Sequence, residues 1–243
     1  MKPIGLVILL LTQAPLPPQA KANLVRFASN EIAVAAYDDN AHGKYFANVF
    51  RDARLKRLAV VINNSTAQPV IASHVHWKWI GADGKPGELV QENNSLVTLG
   101  GFVADSRSTV LILPDGTATQ TGQRPSGMYG MYRIPPSLLT APTVTVELEA
   151  VVLADGEVIG PDKTGLVEEM KGQADAAARV KDIINAARAQ GRDPRADIAA
   201  AAEEKSLPPA TRRHIQLLTR GGRRNGPMPE APPQIVLPNF HRK

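Results

Sequence analysis

The chain has 243 residues, a formal net charge of +5 and no cysteine. That length gives room for one β domain with an appendage. The lack of cysteine excludes disulfides, thiol nucleophiles and cysteine zinc sites, so the fold must rest on an ordinary hydrophobic core.

The N-terminus has the pattern of a secretory signal peptide. Lys2 is followed by an apolar run over residues 4–11, a polar Pro-rich stretch over 13–19, and the A-x-A site Ala20-Lys21-Ala22. A membrane span needs about 20 apolar residues, so this run is too short for an anchor helix. The reading is a signal peptide over 1–22, a mature start at Asn23, and an exported protein, periplasmic or extracellular. No later apolar run is long enough to span, so the chain is expected not to span a membrane.

Residues 31–37 (EIAVAAY) read as a first strand with Ile32 and Val34 facing in. Residues 38–57 are less regular and fit a loop or a short helix. The central stretch is 58–87. It begins LAVVINNS, turns, and runs on as VIASHVHWKWI into ADGKPG. In a strand, alternate side chains face opposite ways. Leu58, Val60 and Ile62 face in on the first run. On the second, Ile71, Val75, Trp77 and Trp79 share one face, and His74, His76 and Lys78 share the other. Asp83-Gly84 is a favoured hairpin pair, from which residues 88–91 return as a short edge strand. Residues 108–113 (STVLIL) form another strand, stopped by Pro114-Asp115-Gly116. A Gly, Thr and Pro-rich loop runs to about Arg133.

Residues 143–154 read as a long strand. Val144, Val146, Leu148, Ala150 and Val152 face a core, and Thr145, Glu147 and Glu149 face water. Asp155-Gly156 turns it into residues 157–159. This many alternating strands with turn signals between them predict an antiparallel sandwich, with a small barrel as the rival. The segments VVINNST, WKW, DGKPG and LEAVVLADGEVIGPD resemble parts of uncharacterised secreted bacterial proteins with an immunoglobulin-like or fibronectin-III-like β-sandwich. The resemblance spans roughly residues 58–162. It implies a fold and no activity.

After Pro161 the apolar period changes from two to about 3.6. Leu166, Val167, Met170, Ala174, Ala177, Val180, Ile183, Ile184 and Ala187 form one helical stripe, capped by Asp162 or Thr164 and ended by Gly191. Asp193-Pro194 and Pro208-Pro209 start two more helices. Taken over the three helices the apolar stripe is mostly alanine, which buries little area, so the first helix is expected to dock on the sandwich or on another chain. The expected class is therefore mainly β: an antiparallel Ig-like β-sandwich followed by an α-helical C-terminal segment and a disordered tail. The segments are a signal peptide at 1–22, the β-sandwich at 23–163, about three helices at 164–220, and a disordered basic Pro-rich tail at 221–243. Within the tail, residues 234–237 are β-prone and could add to a sheet edge of a partner or of the chain itself.

The charge is uneven. Residues 207–243 carry seven Lys and Arg against the single acid Glu230, whereas residues 23–206 carry a slight acidic excess. Export excludes nucleic acid, so the basic tail points to an anionic surface and the body to a protein or cell-envelope partner.

His74 and His76 lie about 6.5 to 7 Å apart along a strand, which suits two ligands of one metal. A third would come from His42, Glu147 or Glu149. Lys78 on the same face favours the plainer reading, the wet side of a structural strand. Met128, Tyr129, Met131 and Tyr132 in the long loop offer flat and adaptable surfaces for glycans or peptides. Their plainer role is to close one end of the sandwich. Glu147 and Glu149 could serve as a glycosidase pair, although such pairs are more often solubility features. Zinc-protease, nucleophile-elbow, Walker and dinucleotide motifs are missing, and no cofactor is expected. The sequence thus points to an exported, non-enzymatic interaction or envelope-associated module. The alternatives are a carbohydrate-binding sandwich using the Tyr129/Tyr132 loop and a metal-dependent hydrolase using the His74/His76 face.

Overall fold

The computed structural model describes residues 23–25, 29, 31–50, 52–95, 104–121, 133–220, 231–232 and 234–242. In chain order these form β1 (Asn23–Val25), β2 (Ile32–Ala36), α1 (Asp39–Phe46), 3-10 turns at Ala47–Val49 and Ala53–Leu58, β3 (Val60–Asn64), β4 (Val70–Ile80) and β5 (Pro86–Asn94). They continue with β6 (Ser108–Ile112), β7 (Ala118–Gln120), α2 (Pro136–Thr140), β8 (Thr143–Leu153), β9 (Val158–Ile159), α3 (Leu166–Ala189), α4 (Arg195–Glu203) and α5 (Pro209–Arg220).

The described strands form two sheets. One has the order β1-β8-β4-β5, with β9 also on β8, and the other has the order β2-β3-β6-β7. The chain changes sheet after β1, β3, β5 and β7. Among the described strands the ladders are antiparallel except that of β1 with β8, which is parallel. Helices hold more of the described chain than strands do. The mainly-β expectation is therefore corrected to two antiparallel sheets with a substantial helical part.

Both sheets contribute to one buried cluster. Trp77 and Trp79 enter it from β4, Val144, Val146 and Leu148 from β8, Ile62 from β3, and Val110 and Ile112 from β6. The indole Nε1 of Trp77 donates to the Leu58 carbonyl at 2.9 Å, and that of Trp79 donates to Ser137 Oγ at 3.2 Å. The two tryptophans thus share a face as the alternation predicts, and each places its polar atom on a partner. Residues 38–57 fold into α1 and the 3-10 turns. Asp38 caps α1 by accepting from the Asn40 amide, and Phe46, Val49 and Leu55 join the same core.

The extent of one strand and the faces of three residues differ from expectation. Residues 88–91 belong to a longer strand, the full β5, which pairs with β4 from Ala72↔Asn94 to Ile80↔Pro86. The β4–β8 ladder slips twice, between Val70 and Ala72 and between His74 and Val75. The first slip makes Ile71 the extra residue, and it packs with the α3-side cluster rather than with the tryptophans. The second makes Glu149 the extra residue on β8. Each bulge inverts the alternation beyond it. Ala150 and Val152 consequently lie with Ala72 on the outer face, where Leu166 and Met170 of α3 cover them.

The alanine-rich helix does dock on the sheet, through its first turns. Its later part packs against α4 and α5, where Ala176, Val180 and Ile184 meet Ile198, Ala201, Ala202 and Ile215. Asp162 accepts from the Leu166 and Val167 amides, so it is the cap, and Thr164 is used elsewhere. No helix among the described residues is long and apolar enough to cross a membrane. The tail was expected to be disordered. Residues 221–230, 233 and 243 of it lie outside the described residues, and 234–242 lie on the body, with a parallel bridge between His241 and Glu157.

Gly87 lies across the ring of Trp79, and a Cβ there would fall 2.3 Å from Trp79 Cε2. Gly87→Ala should therefore destabilise the protein by about 1–3 kcal/mol through overpacking. Urea unfolding followed by tryptophan fluorescence reads this directly. An unchanged midpoint would mean that the ring is free to move aside.

Candidate functional site

The outer face of the β1-β8-β4-β5 sheet has two halves. Under α3 it is closed, and toward the β4–β5 turn it is open.

The closed half holds a polar cluster. His74 is only 3 % exposed and His76 only 7 % exposed, so the wet-side expectation for both is corrected. The turn before α3 covers His74, and α3 covers the part of β4 beyond it, a roof that the sequence period of β4 alone could not show. The Thr164 amide donates to Glu149 Oε1 and the Thr164 hydroxyl to Glu149 Oε2, each at 2.6 Å. With its proton committed there, Thr164 Oγ1 accepts from Nδ1–H of His74 at 2.6 Å. The result is a chain from imidazole to hydroxyl to carboxylate. The bulge makes it possible, since it keeps Glu149 on the outer face beside Ala150. A second set adjoins it: Asn94 Nδ2 donates to Gln173 Oε1 at 2.6 Å, and Gln173 Nε2 donates to Glu92 Oε1 at 2.8 Å. Further along α3, Glu169 accepts from Arg213 and faces His214 Nε2 at 3.1 Å.

Burial pushes the His74 pKa below its ordinary 6.5, against the pull of Glu92, Asp162, Glu149 and Glu169, which favour the charged form. Burial pushes the Glu169 carboxyl up, but the hydrogen bonds from Arg213 and His214 outweigh it and hold the group below the ordinary carboxylate range.

The proposed metal ligands are dispersed. Glu147 stands opposite His76 in register but pairs with Lys78 at 3.1 Å. His42 sits in α1, where its Nδ1 accepts from the Asp38 amide. His76 Nε2 lies 3.5 Å from Glu88 Oε2 without forming a hydrogen bond. Among the described residues, no three His, Asp or Glu side chains gather as a ligand set. Met128, Tyr129, Met131 and Tyr132 lie outside the described residues.

The open half forms a shallow groove of about 580 Å³, lined by Lys78, Trp79, Ile80, Pro86, Glu88 and Thr145 among others. Ile80 is 47 % exposed and Val90, on the same face of β5, is 39 % exposed. Among the described residues β5 pairs only with β4 and stands last in the order of that sheet.

Gln173 went unseen in the sequence, and Thr164 was read only as a cap for the helix, not as the link between His74 and Glu149. Gln173 carried a signal. Positions 166, 170, 173, 177, 180, 184 and 187 are buried at spacings of four and three, and Gln173 is the one polar residue on that stripe. Compared with family models, characterised proteins and solved structures, the chain matches none.

Two outcomes are expected. Thr164→Val removes the hydroxyl that links His74 to Glu149 while the residue-164 amide still serves Glu149, at a cost of about 1–3 kcal/mol in unfolding free energy. The pH dependence follows from His74. Its folded pKa is depressed, so the unfolded chain takes up the proton first and the contribution of His74, full above pH 6.5, is lost as the pH falls from there. Chemical denaturation between pH 7.5 and 5.5 should show stability falling, and His74→Gln should flatten that slope. Glu169 acts separately, its contribution being lost only below the ordinary carboxylate value of 4.5.

Proposed function

We propose that this is an exported, non-enzymatic interaction module of the cell envelope, built on an immunoglobulin-like β-sandwich with a helical roof on one sheet. The observation that carries the reading is how the outer face of that sheet is divided. The residues with the best chemistry, His74 and Glu149, spend their hydrogen bonds joining the sheet to α3. The residues left open to a partner are Ile80 and Val90, beside Lys78 and Glu88. Exposed apolar side chains rimmed by opposite charges are what a protein partner uses.

The export part rests on residues 1–22. N-terminal sequencing of the chain from envelope and medium fractions should begin at Asn23. A chain found only in the cytoplasm, still starting at Met1, overturns that part.

The interaction part is tested with a photo-crosslinking residue at position 88 in whole cells. The native surface should yield a defined crosslinked species, and Ile80→Glu with Val90→Lys should abolish it. Both positions are exposed, so stability should stay within about 0.5 kcal/mol. Identical crosslinks from native and variant chains would show that this face is not the contact.

A further inference from the structure

Residues 234–242 form no helix, and their only strand contact is the bridge at His241. Yet they cross the body along a defined track. Gln234 and Ile235 border a hollow of about 270 Å³ beside Ala174, Ala178, Lys181 and Asp182 of α3. Leu237 and Phe240, both half-buried, pack on the cluster that joins α3 to the outer face of β4 and β8. The track ends in two backbone hydrogen bonds. His241 N donates to Gly156 O at 3.0 Å, and Val158 N donates to His241 O at 2.8 Å.

The receiving side is shaped for this crossing. Gly156 has φ +95°, and a Cβ on it would fall 2.3 Å from the carbonyl oxygen of Asn239. The attachment itself is slight. The anchors are half-buried, Val236 just before Leu237 is 76 % exposed, and the prolines at 232 and 238 keep the segment extended. A segment held by few buried apolar contacts and a short run of backbone bonds belongs to the part of a fold that opens first.

We propose that this track is a peptide-binding groove filled in cis by the chain's own C-terminal segment. The partner it fits is an extended, proline-flanked apolar peptide with the spacing of Ile235, Leu237 and Phe240, which would add its backbone beside β9 as His241 does. The proposal rests on the interaction-module reading and gives it a second, more specific surface. A tethered segment sits at millimolar effective concentration. A competing peptide must therefore outbid the tail, and loss of the tail's anchors should open the groove.

The test uses a labelled peptide of residues 231–243 and the full chain, read by fluorescence anisotropy. The chain carrying Leu237→Ser and Phe240→Ser should bind the peptide at least about 10-fold more tightly than the native chain, whose groove is occupied. Adding Gly156→Ala to that variant should remove the gain, because the Cβ blocks the crossing. A peptide with Leu237 and Phe240 replaced by serine should not bind. Equal binding to native and anchor-less chains, or binding to neither, overturns the proposal. Hydrogen exchange on the native chain gives a reading that does not depend on any variant folding. The Val158 amide should exchange at least about 100-fold faster than the core amides of β8 and slow further when free peptide is in excess. A Val158 amide as protected as the β8 core would mean a permanent closure, which also overturns it. Failure here leaves the Ile80/Val90 crosslinks unaffected, and failure of those crosslinks leaves this groove standing.

Discussion

The pairing of β4 with β8 sets the terms for everything around it. Both are eleven-residue strands, and for much of their length they are buried on both faces. Toward the other sheet they present Trp77, Trp79, Val144, Val146 and Leu148. On the outer face they present Ala72, Ala150 and Val152, which are small and leave room for a helix to lie close. A regular ladder could not do this with the same sequence. The extra residue at Glu149 turns Ala150 and Val152 outward while keeping a carboxylate beside them. One irregularity therefore supplies both the apolar seat for Leu166 and Met170 and the acceptor for the turn that leads into α3.

The division of labour at that seat is physical. Burying Leu166 and Met170 contributes about 1.5–3 kcal/mol each. The polar cluster adds little net energy, because its groups were solvated before folding, but each member is costly to leave unpaired. The cluster therefore fixes where α3 sits more than how tightly it is held. His74 through Thr164 to Glu149 pins the start of the helix, and Asn94 through Gln173 to Glu92 pins its second turn. Beyond that point α3 leaves the sheet and depends on α4 and α5. Gly172 marks the crossing, since a Cβ there would fall 2.5 Å from Ala210 Cβ.

Much of this was legible in the sequence, for local reasons. Alternation placed both tryptophans on one face, and Asp83-Gly84 placed the hairpin. The change of period after Pro161 placed α3, and Asp193-Pro194 and Pro208-Pro209 placed the next two helices. What was not legible came from tertiary contact. A bulge leaves no mark in a period-two pattern, so Ala150, Val152 and Ile71 were assigned to the wrong face. His74 and His76 looked wet because their neighbour Lys78 is wet, and the strand does not announce that a helix roofs only part of it. Gln173 was the missed clue: a polar residue at a regular core position of a helix asks what it is paired with.

That clue also explains why α3 stays attached despite its alanines. A purely alanine seam could slide along the sheet, because each small side chain fits many positions equally well. Gln173 fits one, where Asn94 and Glu92 satisfy both ends of its amide. Register on a weak apolar seam is thus supplied by polar groups that are satisfied in a single arrangement. The same logic extends to the C-terminal residues. Leu237 and Phe240 pack on that seam from outside, so their docking depends on α3 already standing in the register that Gln173 and Thr164 impose. The seat for the tail therefore exists only where the roof stands in that register, because Leu166 and Met170 of α3 form part of the surface that Leu237 and Phe240 cover.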